Sequence, residues 1–282
     1  MKYNGLLKIQ NISRSTKRLN THAKRYAADE GGILTMREQW LREGYERLSK
    51  ESKNRFSDYD RLAFLHSSIG DILQIAFGNT RACKTHLYQC ALYKSYACCY
   101  FGLQNLGSKC GANLRELAYF EAAVIADADE VAHTLGDQLI AADQGPMPIS
   151  VKKIESSLID LFNGNDLRVK ENCDFIKANQ DTLWTGTSIF DTIELYEAIL
   201  AQDNQKFYDL FVASLRKNRR DPNLVYFLDF LHITIGKIAL ERGFELPIDT
   251  ADCPQCLLQS EVSDYSSVEI KKPIEGLPFL IK

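Results

Sequence analysis

Proline and glycine are scarce in this chain: there are 7 and 16 in 282 residues, and long stretches contain neither. An architecture of short strands needs turn residues at close intervals, so the scarcity argues for helices. Long uncharged apolar runs are missing as well, and none reaches the ~20 residues of a membrane span. The start, Met1-Lys2-Tyr3-Asn4-Gly5-Leu6-Leu7-Lys8, lacks the apolar h-region of a secretory signal. Together these two absences predict a cytoplasmic protein with no membrane contact. Charge of one sign is not in excess either, since the formal net charge is −3. General nucleic-acid binders present a basic face, so direct binding to nucleic acid is not expected. The one local basic cluster, Lys8, Arg14, Lys17, Arg18, Lys24 and Arg25, reads as a solvated helix face.

What remains is an ordinary folded composition, 45% apolar and 25% charged, in a chain long enough to bury a large core. The eight cysteines do not suggest a disulfide framework. Cys83, Cys90, Cys98, Cys99 and Cys110 lie in or beside one helical stretch, where buried thiols behave as small hydrophobes.

Apolar periodicity predicts helices over Arg37–Lys50, then from a cap at Ser57 or Asp58 to about Phe77. A long central helix follows over Arg81–Leu106, where small residues such as Cys83, Cys90 and Ala97 permit close helix packing. Another is expected over Asn113–Ala142. Gly145-Pro146-Met147-Pro148 is the clearest punctuation, followed by helices over Val151–Phe162, Leu167–Asn179, Ser188–Ala201 and Gln205–Arg219. From Leu224 to Gly243 runs an almost wholly apolar helix, with Arg242 in its last turn and Gly243 as its stop. Val268-Glu269-Ile270-Lys271 alternates like one short edge strand. The fold class expected is all-α, a multi-helix bundle or solenoid-like array of antiparallel helices with a short irregular C-terminal tail. The expected organisation is a tether and polar helix over 1–35, a helical domain over 36–260 with an internal boundary at 144–150, and a tail over 261–282.

Three patterns carry chemical meaning. Cys253-Pro254-Gln255-Cys256 has the spacing of a redox or zinc dithiol, but no βαβ frame precedes it. No second ligand pair lies near it in sequence, so neither a metal nor a cofactor is expected. Arg61 to His66 and Arg81 to His86 share an Arg-x4-His spacing used by HEPN-type helical ribonucleases. There, Arg stabilises developing phosphate charge and His transfers a proton. The polar residue usual after that Arg is replaced by Leu62 and Ala82. Finally, Asp127, Asp129 and Glu130, with Asp137 and Asp143 further on, form a carboxylate-rich helix surface. It reads as a solvated face or as a docking surface for a basic partner.

The segment 185–258 resembles the end of a family of bacterial immunity proteins from polymorphic toxin systems, immunity protein family forty-nine. The resemblance rests on Ala239-x-x-Arg242-Gly243, then Leu246-Pro247-Ile248-Asp249, then Pro254 with Leu257-Leu258. Tyr196-Glu197-Ala198-Ile199-Leu200, Asp203, Phe207 and Leu215-Arg216 precede them. The resemblance implies an all-α cytoplasmic protein that is not an enzyme. Such a protein neutralises a secreted toxin by direct stoichiometric binding. Many such toxins are basic enzymes acting on nucleic acid or nucleotides, which would suit Asp127, Asp129, Glu130, Asp137 and Asp143 as contacts. The alternatives are a HEPN-like ribonuclease using Arg81 and His86, and a general helical scaffold.

Overall fold

Short polar side chains start several of the helices locally, Asn54, Asn79, Asp203 and Asp229 each accepting from a backbone N–H of the first turn. The computed structural model describes residues 23–29, 32–50, 54–101, 117–141, 148–182, 187–218, 228–261 and 263–277. The N-terminal tether before residue 23, Cys110, Asp143, Gly145-Pro146-Met147, Arg219 and 224–227 lie outside the described residues. Helix α1 spans Ile33–Leu48, α2 Arg55–Phe77 and α3 Thr80–Phe101. Asn54, rather than Ser57 or Asp58, caps α2, its side chain accepting from the Ser57 N–H at 3.3 Å. Gly78 then takes a left-handed φ of 61° and its N–H donates to the Gln74 carbonyl, ending α2 in a conformation that costs glycine no Cβ strain. One residue later Asn79 accepts from the Ala82 N–H at 3.1 Å and opens α3.

Among the described residues, helices α2 and α3 make the most extensive contact. The small residues Cys83, Cys90, Ala91 and Ala97 are buried along α3, as the sequence predicts. A Cβ added at Gly70 would come 3.2 Å from the Cys83 carbonyl, so the two backbones nearly touch there. Tyrosines fill the wider parts of the seam, with Tyr59 stacked on Tyr93 and Tyr100.

Where one long helix is expected over 113–142, the described part holds two, α4 (Ala118–Ile125) and α5 (Asp129–Ala141). The break is Asp127, at φ +57°. That conformation disfavours most side chains but is open to Asp, whose short carboxylate finds local partners. Helix α4 is buried from Tyr119 to Ile125 and packs against α3, α5 and α10. An α6–α7 hairpin (Ile149–Phe162, Asp166–Ala178) and an α8–α9 hairpin (Thr187–Leu200, Asn204–Asn218) follow. The apolar stretch forms α10 (Phe230–Glu241), buried from Phe230 and from His232 to Ala239. It reaches α4, α6 and the single turn α11 (Gln255–Leu258). Buried apolar residues from Leu48 to Leu258 form one continuous cluster. The protein is an all-α multi-helix bundle.

The residues behind the family resemblance have core and turn roles. Arg242 donates to the Leu161 carbonyl at 2.6 Å and pairs with Asp166 at 2.8 Å, clamping the α6–α7 turn to the end of α10. Gly243, at φ +89°, lets the chain reverse. Leu246, Ile248, Leu257 and Leu258 are buried, and Asp249 accepts from the Gln255 N–H to start α11.

Beyond α11 the chain is an extended strap pinned by tyrosines. Tyr265 stacks on Tyr88 with ring centroids 4.1 Å apart, and its hydroxyl donates to the Ala126 carbonyl at 2.5 Å. Tyr59 donates to the Lys271 carbonyl, and Tyr100 accepts from the Ile274 N–H. Residues 268–271, expected as an edge strand, carry no regular structure: the Val268 N–H closes a turn onto the Tyr265 carbonyl, and the Lys271 carbonyl accepts from Tyr59 rather than from a neighbouring strand. No helix among the described residues is long and apolar enough to cross a membrane.

Candidate functional site

The acidic cluster divides by burial. Asp127 sits at the α4–α5 break with its carboxylate turned inward between two lysines. Lys84 of α3 approaches Oδ2 at 2.7 Å, and Lys237 of α10 pairs with Oδ1. Both lysines are almost wholly buried, at 3% and 1% exposure. Burial lowers the Lys237 ammonium below its ordinary pKa, against the pull of Asp127. The Glu261 N–H also donates to Oδ2, and Ser260 accepts from Lys237 at 3.3 Å. Asp127 thus joins α3, α10, the α4–α5 turn and the root of the strap. Buried lysines require such partners, because an isolated ammonium in the interior is far costlier than a paired one.

Asp129, Glu130 and Asp137 are exposed on α5, while Asp143 lies outside the described residues. Glu130 and Asp137 are seven residues apart and share a helix face with His133 between them. Ile140, 37% exposed, extends that stripe. His133 is steadied at its base by Asn163, at 2.8 Å, and by the Phe162 ring. The stripe therefore stands on a helix whose start is fixed by the Asp127 clamp.

The two Arg-x4-His pairs meet in an unexpected way. His66 and His86 face each other across the α2–α3 seam with their Nδ1 atoms 2.9 Å apart. The Tyr45 hydroxyl lies 2.7 Å from His66 Nε2, and Tyr93 stacks on the same ring. Burial holds His86 down at about 4. Burial, with His86 beside it, holds His66 well below its ordinary value. Both rings are neutral near pH 7. Residues five apart on a helix point about 140° apart. Accordingly Arg61 is exposed over the Trp40 ring while His66 is buried, and Arg81 is exposed at the start of α3. The histidines come together with each other and not with their arginines.

A third constellation was not legible in the sequence. Asp229 Oδ2 lies 2.8 Å from His232 Nδ1, and His232 Nε2 lies 3.1 Å from the Ser214 hydroxyl. The order of groups is that of a hydrolytic triad. Their setting differs, since Ser214 lies within helix α9, whose N–H groups are engaged in helical bonds. His232 and Ser214 are buried, and Asp229 is partly buried at the start of α10. Asp229 also accepts from the His232 N–H as the cap of α10, so this chain latches α9 to the start of α10. The cap is readable from Asp229 three residues before His232; Ser214 belongs to another helix and gives no such signal.

Nearby, Glu121 of α4 is 6% exposed, and burial pushes its carboxyl up to about 8, helped by Asp229 and Glu155. The wholly buried Tyr196 hydroxyl has no hydrogen-bond partner among the described residues. The cysteine pair is built into the core: Cys253 is fully buried, and Cys256 Sγ accepts from Thr80 at 3.2 Å and Gln74 at 3.5 Å. Among the described residues no group of three or more His, Cys, Asp or Glu is placed to hold a metal ion. No family model matches the chain, and no curated protein or solved structure matches it.

Proposed function

We propose that this protein is a non-catalytic, cytoplasmic inhibitor that neutralises a bacterial toxin by direct stoichiometric binding. The resemblance of 185–258 to immunity proteins supplies the class of partner. The observation that carries the reading is the outer stripe of α5. Glu130, His133, Asp137 and Ile140 offer charge beside an exposed apolar side chain on an anchored helix, with Asp129 at its start. Such a surface favours fast, oriented association with a basic partner without chemistry of its own. Asp127 serves this surface as an anchor rather than as a contact. His66 with His86 and His232 with Ser214 are engaged with one another inside the bundle.

The test is co-expression with the product of the adjacent toxin gene. Wild-type protein is expected to protect cells and to form a 1:1 complex. A folded variant carrying Asp129→Lys, Glu130→Lys and Asp137→Lys is expected to associate more slowly, with weaker salt dependence. Protection without a detectable complex would overturn the binding reading. Full binding by the variant would remove this stripe from the interface.

A further inference from the structure

We propose that the outer face of the α1–α2 pair is a docking surface for a carboxylate-bearing protein segment, read by Arg37 and Arg61. It rests on the reading of the protein as a binding protein, but names a different face and an opposite partner charge.

Helices α1 and α2 run antiparallel in a register fixed at their lower end. A Cβ at Gly44 would lie 2.7 Å from Leu62, so the helices approach closely there. Arg55 donates to the carbonyls of Leu48 and Lys50, closing the turn. From that fixed end the pair climbs through two reciprocal rungs. The Arg61 guanidinium of α2 lies 5.9 Å from the Trp40 ring of α1, and Arg37 of α1 lies 5.9 Å from the Phe64 ring of α2. Neither arginine makes an ion pair or hydrogen bond among the described residues, although Arg47 beside them pairs with Asp58. Arg37 even holds Nε and Nη1 out of water without a partner. Around them Phe64 is 40% and Met36 38% exposed.

A guanidinium at cation–π distance from a ring is attracted through its positive charge and still has N–H groups to offer a carboxylate, so the two interactions are compatible. The two rings act as seats that hold both arginines ready, which lowers the ordering cost on binding. Arginine and large aromatics beside exposed apolar side chains form the composition of an interface hot spot. A discrete carboxylate fits better than a nucleic acid or an anionic lipid surface. On α1 the three arginines, Arg37, Arg42 and Arg47, are matched by Glu38, Glu43 and Glu46, and the whole chain carries −3. A polyanion laid along this helix would meet those glutamates, whereas a short acidic segment contacts the arginines alone.

Trp40 is one of two tryptophans, so a Trp184→Phe background makes it a local reporter. The probe is a synthetic peptide alternating Glu with Leu and Phe, titrated against Trp40 emission. Controls are the same peptide with Lys for Glu, a short single-stranded RNA, and phosphatidylglycerol vesicles. The acidic peptide is expected to change the emission saturably, and Arg37→Ala with Arg61→Ala to weaken it by about tenfold or more. Lys at both positions should restore binding only in part, because ammonium lacks the planar fork. The Asp129→Lys, Glu130→Lys, Asp137→Lys variant should bind the peptide normally. No saturation at millimolar peptide, insensitivity to the arginine substitutions, or equal response to RNA or vesicles would overturn the proposal. Circular dichroism of each variant confirms folding. Toxin binding that survives the arginine substitutions, with no peptide binding, would sink this surface alone. Peptide binding without any toxin complex would sink the toxin reading alone.

Discussion

The Nδ1 atoms of His66 and His86 lie 2.9 Å apart, so one imidazole must donate and the other accept. A proton added to the acceptor would set two donors against each other inside the core. Both histidines titrate below their ordinary value because burial disfavours the cation. A depressed pKa means the unfolded chain takes up protons first, so stability is present above about pH 6.5 and is lost as pH falls toward 4. The melting temperature of the wild type should therefore fall over that window more steeply than that of a His66→Phe, His86→Phe variant. Parallel curves would show that the pair does not titrate as the geometry implies.

Glu121 has the opposite sign. Its carboxyl is raised to about 8 by burial, so its neutral form stabilises the fold below about pH 4.5. That contribution is lost as pH rises toward 8, because the unfolded chain ionises first. Glu121→Gln should raise the melting temperature at pH 8 more than at pH 5. Equal effects at the two values would place the carboxyl in a more hydrated setting.

Asp127→Asn tests the double-lysine clamp. Asn tolerates the left-handed backbone at φ +57°, so the change removes the charge without imposing backbone strain. Lys84 and Lys237 would then lack their shared counter-ion, at a cost of about 3–5 kcal/mol in unfolding free energy. Denaturant titration reads this directly. A loss under about 1 kcal/mol, the range of exposed ion pairs, would mean that the lysines are hydrated.

Tyr265→Ala should loosen the strap. It removes the stack on Tyr88 and the bond to the Ala126 carbonyl. The two contacts are worth about 2 kcal/mol together. Amide hydrogen exchange should rise first at the Ile274 N–H, further along the strap. Unchanged protection there would show that the Tyr100 contact holds the strap by itself.

Gly236→Ala sets helix propensity against packing. In an open helix the change would stabilise by about 1 kcal/mol. Here the new Cβ would lie 2.6 Å from Leu258 and 3.0 Å from Leu246, both buried with little room to retreat. Net destabilisation of about 1–3 kcal/mol is expected from the chemical-denaturation midpoint. A stabilised variant would mean that the α10–α11 contact can repack.

Element type and most boundaries were legible because local rules set them. The α6–α7 and α8–α9 helices fall within about two residues of their expected ends, the ordinary spread of helix assignment. Capping side chains and apolar periodicity act within a few residues, so a sequence window contains them. The break at Asp127 was not legible. Its left-handed backbone is held by Lys84, Lys237 and the N–H of Glu261, which are remote in sequence. Of the acidic residues read as one face, Asp129, Glu130 and Asp137 lie outward while Asp127 points in.

The sequence by itself determined that this protein is helical, where most helices run, and that the stretch ending at Arg242-Gly243 belongs to the core. Those properties follow from side-chain period and chain stiffness, which are local. Tertiary structure alone decided which charged and polar groups are available. Identical side chains have opposite fates: Lys84 and Lys237 are buried on one carboxylate, whereas Lys24 faces solvent. His66 met His86 because α2 and α3 pack with a register set at Gly70 and Cys83. Whether a charge is offered to a partner depends on what lies opposite it, and long-range packing fixes that neighbour.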